Sequence, residues 1–192
     1  MDSIETESKK AEKKPVRAKN GTKNGEVSKK AIVEQHILHD QRIRALVRHI
    51  THVQQSCALL GERLIAKGDR DIGHKLIANG FIHDNSKFLG IEWLYLHDDV
   101  MVSQPELFKA ALIQHTSQNP HHPEYWGDIE QMPRVYLAEM VCDWHARSGE
   151  FGSDLRTFIK ERATKKFSFS TSGRVYKEIK PLVDLLLDST FV

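Results

Sequence analysis

Apolar residues recur at steps of three and four through the middle of this chain, and this spacing constrains the fold most strongly. Such a repeat places one apolar stripe along a single face of a helix. No useful length of sequence alternates apolar and polar residues as a half-buried strand would, and there is no internal repeat. The sequence therefore predicts an all-α protein whose first long helix carries the stripe Ile43, Leu46, Ile50, Val53, Cys57, Leu60 and Leu64.

Residues that begin or end helices predict where the elements lie. Gly68 ends the first helix, and Asn79-Gly80 is expected to break the second one. Ser103, with Glu106 three residues later, has the pattern of a capping box that starts another helix. The remaining predicted features are a non-helical loop NPHHPEYWG over 119–127, which contains Pro120 and Pro123, a helix opened by Met132-Pro133, and helical segments over 153–166 and 174–188.

The first 30 residues differ in composition from the rest of the 192-residue chain. They contain nine Lys and Arg against five Asp and Glu, a net charge of +4, whereas the whole chain carries +2. They lack aromatic residues and have few aliphatic ones, so they bury too little surface to fold. The prediction is a disordered basic tail over 1–30 and a single helical domain over 31–192. The tail either binds nucleic acid or another acidic surface, or is a solubilising linker.

The apolar and cysteine content predicts where the protein works. No apolar run approaches the roughly 18 residues of a membrane-spanning helix, and the first residues lack the apolar segment of a secretory signal. Cys57 and Cys142 are far apart in sequence and form no C-x-x-C motif, which argues against a disulfide scaffold or a cysteine zinc site. We expect a cytoplasmic protein with no membrane partner.

The chain has eleven histidines, and the strongest candidates for chemistry are His83 and Asp84 in the segment GFIHDNSKF. An imidazole and a carboxylate at the end of a helix can bind one divalent ion together. Lys87, one turn later, is placed to meet a phosphate. His97-Asp98 is a second pair of this kind, but its polar surroundings are typical of a solvated helix end.

Two further positions complete a candidate ligand set. His49 and His52 are three residues apart on the first helix, beside its apolar stripe; His52 is the predicted ligand, and His49 supports the ligands or contacts substrate. The alternative is a surface histidine pair. Asp143 lies at the edge of a later apolar face, where a buried carboxylate is costly unless it is paired or metal-bound. The alternative role of Asp143 is a surface ion pair with Arg147. Glu139 lies four residues before Asp143 and projects from the same helix face.

His52, His83-Asp84 and Asp143 together resemble the H…HD…D signature of the HD superfamily of metal-dependent phosphohydrolases. The motifs HDNSKF, NPHHPEYW and EMVCDWHA more closely resemble small bacterial and phage HD-like proteins with the pattern HDxSKF…NxHHPEYW…EMxCDWxA. The resemblance covers about residues 45–148. It implies an HD-like helical bundle in which two histidines and two aspartates hold one divalent ion. Helical HD-like domains often pair, which leaves both a monomer and a homodimer open.

The resemblance also implies roles for residues near the dyad. HD enzymes that act on nucleotides often have an acidic residue just after the dyad, but Asn85 stands here. The HD-x-x-K form is commoner among phosphodiesterases, in which the lysine, here Lys87, contacts the phosphate and extra histidines hold a second metal. The candidates are His115, His121 and His122 for that metal or for phosphate, and Glu92 and Glu124 as proton shuttles. Packing beneath the loop is the alternative role for the histidines.

The predicted function is a metal-dependent phosphohydrolase in which a metal-activated water attacks a nucleotide or another small phosphoester. One or two ions of Mn, Mg, Co, Ni or Fe would suit such mixed ligands. Two alternatives stay open: a di-iron oxidation enzyme of the same fold, and a helical binding or regulatory protein with a vestigial site. A basic run either steers an anionic substrate or forms a solvated face: Arg156, Lys160, Arg162, Lys165 and Lys166.

Overall fold

The computed structural model describes residues 29–190, and helices are the regular structure in this range, with no strand among its residues. The all-α prediction is confirmed. The predicted tail lies outside the described residues except for Lys29 and Lys30, which begin the first helix. The division into a tail and one domain stays a prediction. Within the described range, no helix is both long and apolar enough to cross a membrane.

Ten α-helices make up most of the described range. They are α1 (Lys29–Ala66), α2 (Arg70–Ile82), α3 (Gly90–Tyr95), α4 (Asp98–Ser103), α5 (Pro105–Gln118), α6 (Pro123–Trp126), α7 (Arg134–Phe151), α8 (Leu155–Phe158), α9 (Thr164–Lys166) and α10 (Arg174–Leu186). Turns of 3-10 helix cover Asn85–Phe88 and Ile129–Gln131, and a π-helical segment, Ile159–Ala163, joins α8 to α9. α1 packs on α2 and α7, and α10 packs on α7 and α1, around the main core. α5 packs on the short helices α3, α4 and α6.

The apolar stripe of α1 is buried only in the second half of the helix. Ile43 is 43% exposed, whereas the stripe from Ile50 to Leu64 lies in the core. The stripe prediction is therefore confirmed for this half, which α2 and α7 cover. The first half presents other apolar side chains to solvent, including Ile32, Val33 and Ile37. The homodimer stays a prediction.

A pair of glycines lets α1 and α2 approach each other closely. A Cβ atom on Gly73 would lie 2.5 Å from the carbonyl oxygen of Gly61. A Cβ atom on Gly61 would in turn lie 2.5 Å from Cγ1 of Ile77. Neither helix has room for a side chain at this crossing, so the backbones themselves are in contact. The crossing holds the end of α2, and the His83-Asp84 dyad after it, close to α1.

We expect Gly73→Ala to destabilise the protein by about 1–3 kcal/mol, because the added methyl group would force the two helices apart. Gly149→Ala is the matched control: Gly149 is also a helical glycine, and a Cβ atom added to it would have nothing within 4 Å. This control should be neutral or stabilising by up to about 1 kcal/mol, the gain in helix propensity. Urea unfolding of both variants measures the difference. Equal midpoints for Gly73→Ala and the unsubstituted protein would contradict the close crossing.

The predicted break at Asn79-Gly80 is wrong, since α2 continues to Ile82. Asn79 lies on the core side of the helix and its Nδ2 donates a hydrogen bond of 2.8 Å to Oε2 of Glu139. A Cβ on Gly80 would lie 2.7 Å from Cβ of Cys57 on α1. Both residues therefore serve helix packing and not helix termination, and tertiary contacts outweigh their weak intrinsic helix propensity.

Other local predictions had mixed outcomes. The capping box is wrong: Ser103 ends α4, its hydroxyl donates to the Asp99 carbonyl, and Gln104 precedes α5. Ser103 is the last residue of the short helix α4, so it is not in position to cap α5. The predicted loop is non-helical only as far as His122, because Pro123 starts α6. The helix opened by Met132-Pro133 and the two later helical segments are confirmed. Both cysteines are free and buried.

Candidate metal centre

Three helices bring the first ligand group together: His49, His83, Asp84 and Asp143. His49 lies on α1, His83 and Asp84 directly follow α2, and Asp143 lies on α7. His49 Nε2 is 3.2 Å from Asp143 Oδ1 and 3.6 Å from Asp84 Oδ2. His83 Nε2 is also 3.6 Å from Asp84 Oδ2. The ligand atoms of His49, His83 and Asp143 lie within 4.8 Å of one another, close enough to share one metal ion, and Asp84 Oδ2 lies beside both histidines.

The second ligand group comes from α5 and the loop before α6 and contains Asp84 with His115, His121 and His122. Nε2 of His115 and Nε2 of His121 lie 3.3 Å and 3.5 Å from Asp84 Oδ1. His122 Nε2 is 2.9 Å from His115 Nε2. Asp84 therefore presents one carboxylate oxygen to each ligand group. A carboxylate in this position can bridge two metal ions.

Unpaired buried atoms provide a test of whether a metal fits this cluster. Buried polar atoms in folded proteins nearly always have a hydrogen-bond partner. Within the described range, the buried atoms that lack a hydrogen-bond partner include one potential metal-binding atom from each of five candidate ligands: His49 Nε2, His83 Nε2, Asp84 Oδ1, His121 Nε2 and Asp143 Oδ1. Imidazole nitrogens and carboxylate oxygens together suit a divalent transition metal. The residues present therefore fit a metal centre.

Carboxylates lie behind the histidines and orient their rings. A metal-binding histidine usually donates its second ring N–H to a carboxylate, which aims the other nitrogen at the metal. Three pairs follow this pattern: His49 Nδ1 with Glu150 at 3.0 Å, His83 Nδ1 with Glu139 at 3.1 Å, and His115 Nδ1 with Glu92 at 2.7 Å. Glu139 also lies 3.4 Å from His121 Nδ1. Both ligand groups are thus supported from outside.

Sequence reasoning gave Glu150 no role and noted Glu139 only for its direction. A signal was available, since Glu139, Asp143 and Glu150 are separated by four and seven residues and so share one face of α7. That face looks toward the candidate ligands. A helix that places three carboxylates on one partly buried face indicates a common cationic partner.

The backbone at Asp84 is in the left-handed region, with φ 57° and ψ 12°. Few non-glycine residues adopt this conformation, although Asp and Asn tolerate it better than most. The turn ends α2 and places two consecutive side chains, His83 and Asp84, in the same cluster. Such backbone strain is often found at functional sites.

Of the two candidate histidines on α1, the structure brings His49 and not His52 into the cluster. His49 is buried within the first ligand group, whereas the side chain of His52 is 41% exposed and its Nδ1 lies 3.6 Å from Glu150 Oε1. Side chains three residues apart on a helix point in directions that differ by about 60° around the helix axis, and this difference is enough to place His52 outside the cluster. His97 also lies outside it, with Nε2 2.5 Å from the Trp93 carbonyl oxygen.

Two predicted proton shuttles have different positions from those expected. Glu92 is buried and lies within hydrogen-bond distance of His115 and the Ser86 hydroxyl, so its carboxylate is shielded from solvent. Glu124 is exposed on α6 and belongs to neither ligand group. Lys87 lies beside the cluster, with its Nζ 2.5 Å from Asp84 Oδ2.

Mutual contacts within the cluster shift several pKa values strongly. Burial lowers the pKa of His49 and His121, but nearby carboxylates outweigh it and raise the pKa to about 9 for His49 and about 10 for His121. Burial and the adjacent His121 lower the pKa of His122 to about 2. Burial opposes ionisation of Asp143, yet His49 and His83 hold its pKa well below the usual value. The metal-free cluster therefore holds protons that an incoming metal must displace.

We expect metal affinity to rise with pH between pH 6 and 8. His49 and His121 have raised pKa values and are protonated throughout this range, so each must lose a proton before its nitrogen binds a metal. The apparent affinity should rise by roughly tenfold per pH unit for each proton displaced. Calorimetric titration of metal-free protein with MnCl₂ at three pH values measures this slope. An affinity that is equal at pH 6 and pH 8 would contradict the protonated cluster.

The fold and the site define a class of protein: an all-α chain whose described part contains buried clusters of histidine and carboxylate side chains that could hold a metal ion. Residues 38–182 match a family of unknown function (DUF5662), and the chain belongs to this family. Comparison with the curated proteins and with the solved structures gave no match.

Proposed function

We propose that this protein is a metal-dependent phosphohydrolase. The observation that carries the proposal is the position of Asp84 between two ligand groups in which five ligand atoms are buried without a hydrogen-bond partner. Paired metal sites of this kind hydrolyse phosphoesters in many enzymes. The resemblance of the dyad and its surrounding motifs to HD phosphohydrolases supports the same function. We infer that the substrate is a small phosphorylated molecule, most simply a nucleotide.

The residues of the cluster form two sets, and each set would hold one metal ion. His49, His83, Asp84 and Asp143 would hold one, and Asp84, His115, His121 and His122 would hold the other. Bound divalent metal supplies an acidic water and a Lewis acid for a phosphoryl oxygen. Glu150, Glu139 and Glu92 keep the imidazole rings in position through the contacts described above.

Lys87 has the second role in the proposed reaction. Its ammonium group pairs with Asp84 and its side chain is 18% exposed, so it lies at the boundary between the cluster and solvent. A phosphoryl group that reaches Asp84 would come within reach of this cation. Lys87 would then stabilise the negative charge that builds on the phosphoryl oxygens.

Hydrolysis conserves all atoms without a further reactant. The oxygen of a water molecule forms a bond to phosphorus, and the bond between phosphorus and the leaving oxygen breaks. The attacking water loses a proton, and the leaving oxygen gains one. No oxidant or reductant is needed.

Metal content and phosphate release test the proposal together. Untagged protein, gel-filtered and analysed by elemental analysis, should contain one or two equivalents of metal. It should release phosphate or nitrophenol from nucleotides, p-nitrophenyl phosphate or bis(p-nitrophenyl) phosphate in the presence of Mn²⁺ or Co²⁺, and EDTA should stop the reaction. Protein that binds no metal even after incubation with excess ions would overturn the proposal. Metal binding without turnover of any phosphoester would instead favour a binding or regulatory protein.

A di-iron oxidation enzyme is the second candidate, because the second ligand group contains three histidines and shares a carboxylate with the first. Iron is compatible with this donor set. An as-purified protein that contains iron, absorbs visible light and consumes oxygen would favour this function. The same protein would then show little phosphate release.

A further inference from the structure

A cavity of about 640 Å³ opens beside the metal cluster. Its lining residues include His121, His122 and Asp143 of the cluster, together with residues from α7 and from the stretch between Phe158 and Phe167. Its volume is in the range of pockets that bind small organic ligands. A substrate whose phosphoryl group reached the metal cluster would place its remaining atoms in this cavity.

The cavity wall is positively charged. It includes Arg147, Arg162 and Lys166, whereas Asp143 is its one carboxylate. Arg147 is paired with Glu150 at 3.1 Å. Within residues 29–190, neither Arg162 nor Lys166 forms an ion pair, and Lys166 Nζ lies 4.7 Å from the centroid of the Phe167 ring. No carboxylate therefore competes with a ligand for either cation.

The position of Arg162 depends on the π-helical segment Ile159–Ala163. Single turns of π-helix are rare and occur frequently at functional sites. The wider turn lies between α8 and α9, and Lys166 follows four residues after Arg162. The two cations therefore lie on one face and line the same cavity. Of the basic run found in the sequence, only these two residues line it.

The cavity also has an aromatic wall. Phe151 lines it and is 77% exposed, which leaves its ring free to stack on a ligand. Deeper in the wall, Trp144 stacks on Phe167 with 15° between the ring planes. An exposed ring beside free cations suits a ligand that combines a planar base with negative charge.

We infer that this cavity binds a nucleotide with two or more phosphates. One phosphoryl group lies at the metal cluster, Arg162 and Lys166 bind a further phosphate, and the ring of Phe151 stacks on the base. This inference rests on the proposed function, because it assigns the substrate class of the same site. The predicted specificity is for polyphosphorylated nucleotides over mononucleotides.

Binding to metal-free protein tests this inference without turnover. The probes are ATP, GTP, CTP and UTP with their monophosphates, titrated one at a time in EDTA. At least one triphosphate should bind about tenfold more tightly than its monophosphate, because one additional charge-assisted hydrogen bond increases affinity by about this factor. The double substitution Arg162→Ala with Lys166→Ala should remove this preference. Phe151→Ala should weaken both members of the preferred pair by about fivefold or more.

The matched control removes the same charge from the same helical stretch. Lys160→Ala with Lys165→Ala also deletes two cations, but neither residue lines this cavity. We expect it to keep the triphosphate preference. Equal binding of triphosphates and monophosphates, or equal losses in the two double variants, would overturn the inference.

The two proposals fail in distinguishable ways. Metal-dependent phosphate release that is unchanged by the Arg162 and Lys166 substitutions would overturn the substrate assignment and leave the phosphohydrolase intact. Triphosphate binding that depends on Arg162 and Lys166, with no turnover by metal-loaded protein, would support the ligand assignment and overturn the hydrolase.

Discussion

Asp84→Asn is expected to abolish both metal binding and phosphohydrolase activity. The change removes the carboxylate whose two oxygens face the two ligand groups, and a neutral amide binds a cation much more weakly than a carboxylate does. Loss of residues that merely support metal ligands typically costs about 10–100-fold in affinity, so loss of the bridging ligand should cost more. Elemental analysis after gel filtration and the phosphate-release assay measure the two effects.

The substitution is suited to this test because the fold should survive it. Asn tolerates the left-handed backbone of residue 84 as well as Asp does. Asp98→Asn is the matched control, since Asp98 belongs to the second His-Asp pair of the chain and is exposed at the start of α4. It should keep its metal and its activity. An Asp84→Asn protein with the full metal content would show that the cluster is not a metal centre.

His49→Ala and His52→Ala are expected to differ by at least about 100-fold in metal affinity. His49 is buried with its Nε2 facing Asp84 and Asp143, whereas the side chain of His52 is 41% exposed and lies outside both ligand groups. Removal of a direct ligand should weaken binding more than the roughly 10–100-fold of a supporting residue. The His52 variant should stay within about threefold of the unsubstituted protein, as for other surface positions. Titration of each metal-free variant with MnCl₂ measures both constants.

The pair also tests the rotation of α1. Both substitutions remove one imidazole from the same helix, so a general loss of helix stability would affect them alike. Thermal unfolding in EDTA checks that each variant is folded before metal is added. A His52 variant that loses metal while the His49 variant keeps it would show that α1 faces the cluster with its other side.

Local patterns predicted the helices well where burial and helix termini agreed. The second half of the α1 stripe and the start of α7 after Pro133 are both as expected. The errors occurred where a residue with a strong intrinsic conformational preference makes a contact with a residue far away in the sequence. Gly80 is a helix breaker by intrinsic propensity, but its missing side chain lets α2 lie against Cys57. Such a role depends on a partner far away in sequence.

The donor types of the candidate site were also evident from the sequence. His83 and Asp84 are adjacent, and Asp143 borders an apolar helix face, so both features are visible without a structure. The supporting glutamates were harder to find. Glu92 was assigned to proton transfer, and its actual contact with His115 spans 23 residues that include two short helices. No spacing rule predicts that contact.

The sequence by itself determined that the protein is helical and which imidazoles and carboxylates are near the edges of apolar faces. These properties follow from residue chemistry and from the helical repeat. The tertiary structure decided which of these side chains meet. His49, and not the predicted His52, lies in the cluster, and Asp84 lies between the two ligand groups. Both positions follow from the rotation of α1 about its axis and from the crossing of α1, α2 and α7, which set distances between residues far apart in the chain. Those crossings depend on close packing of the whole core.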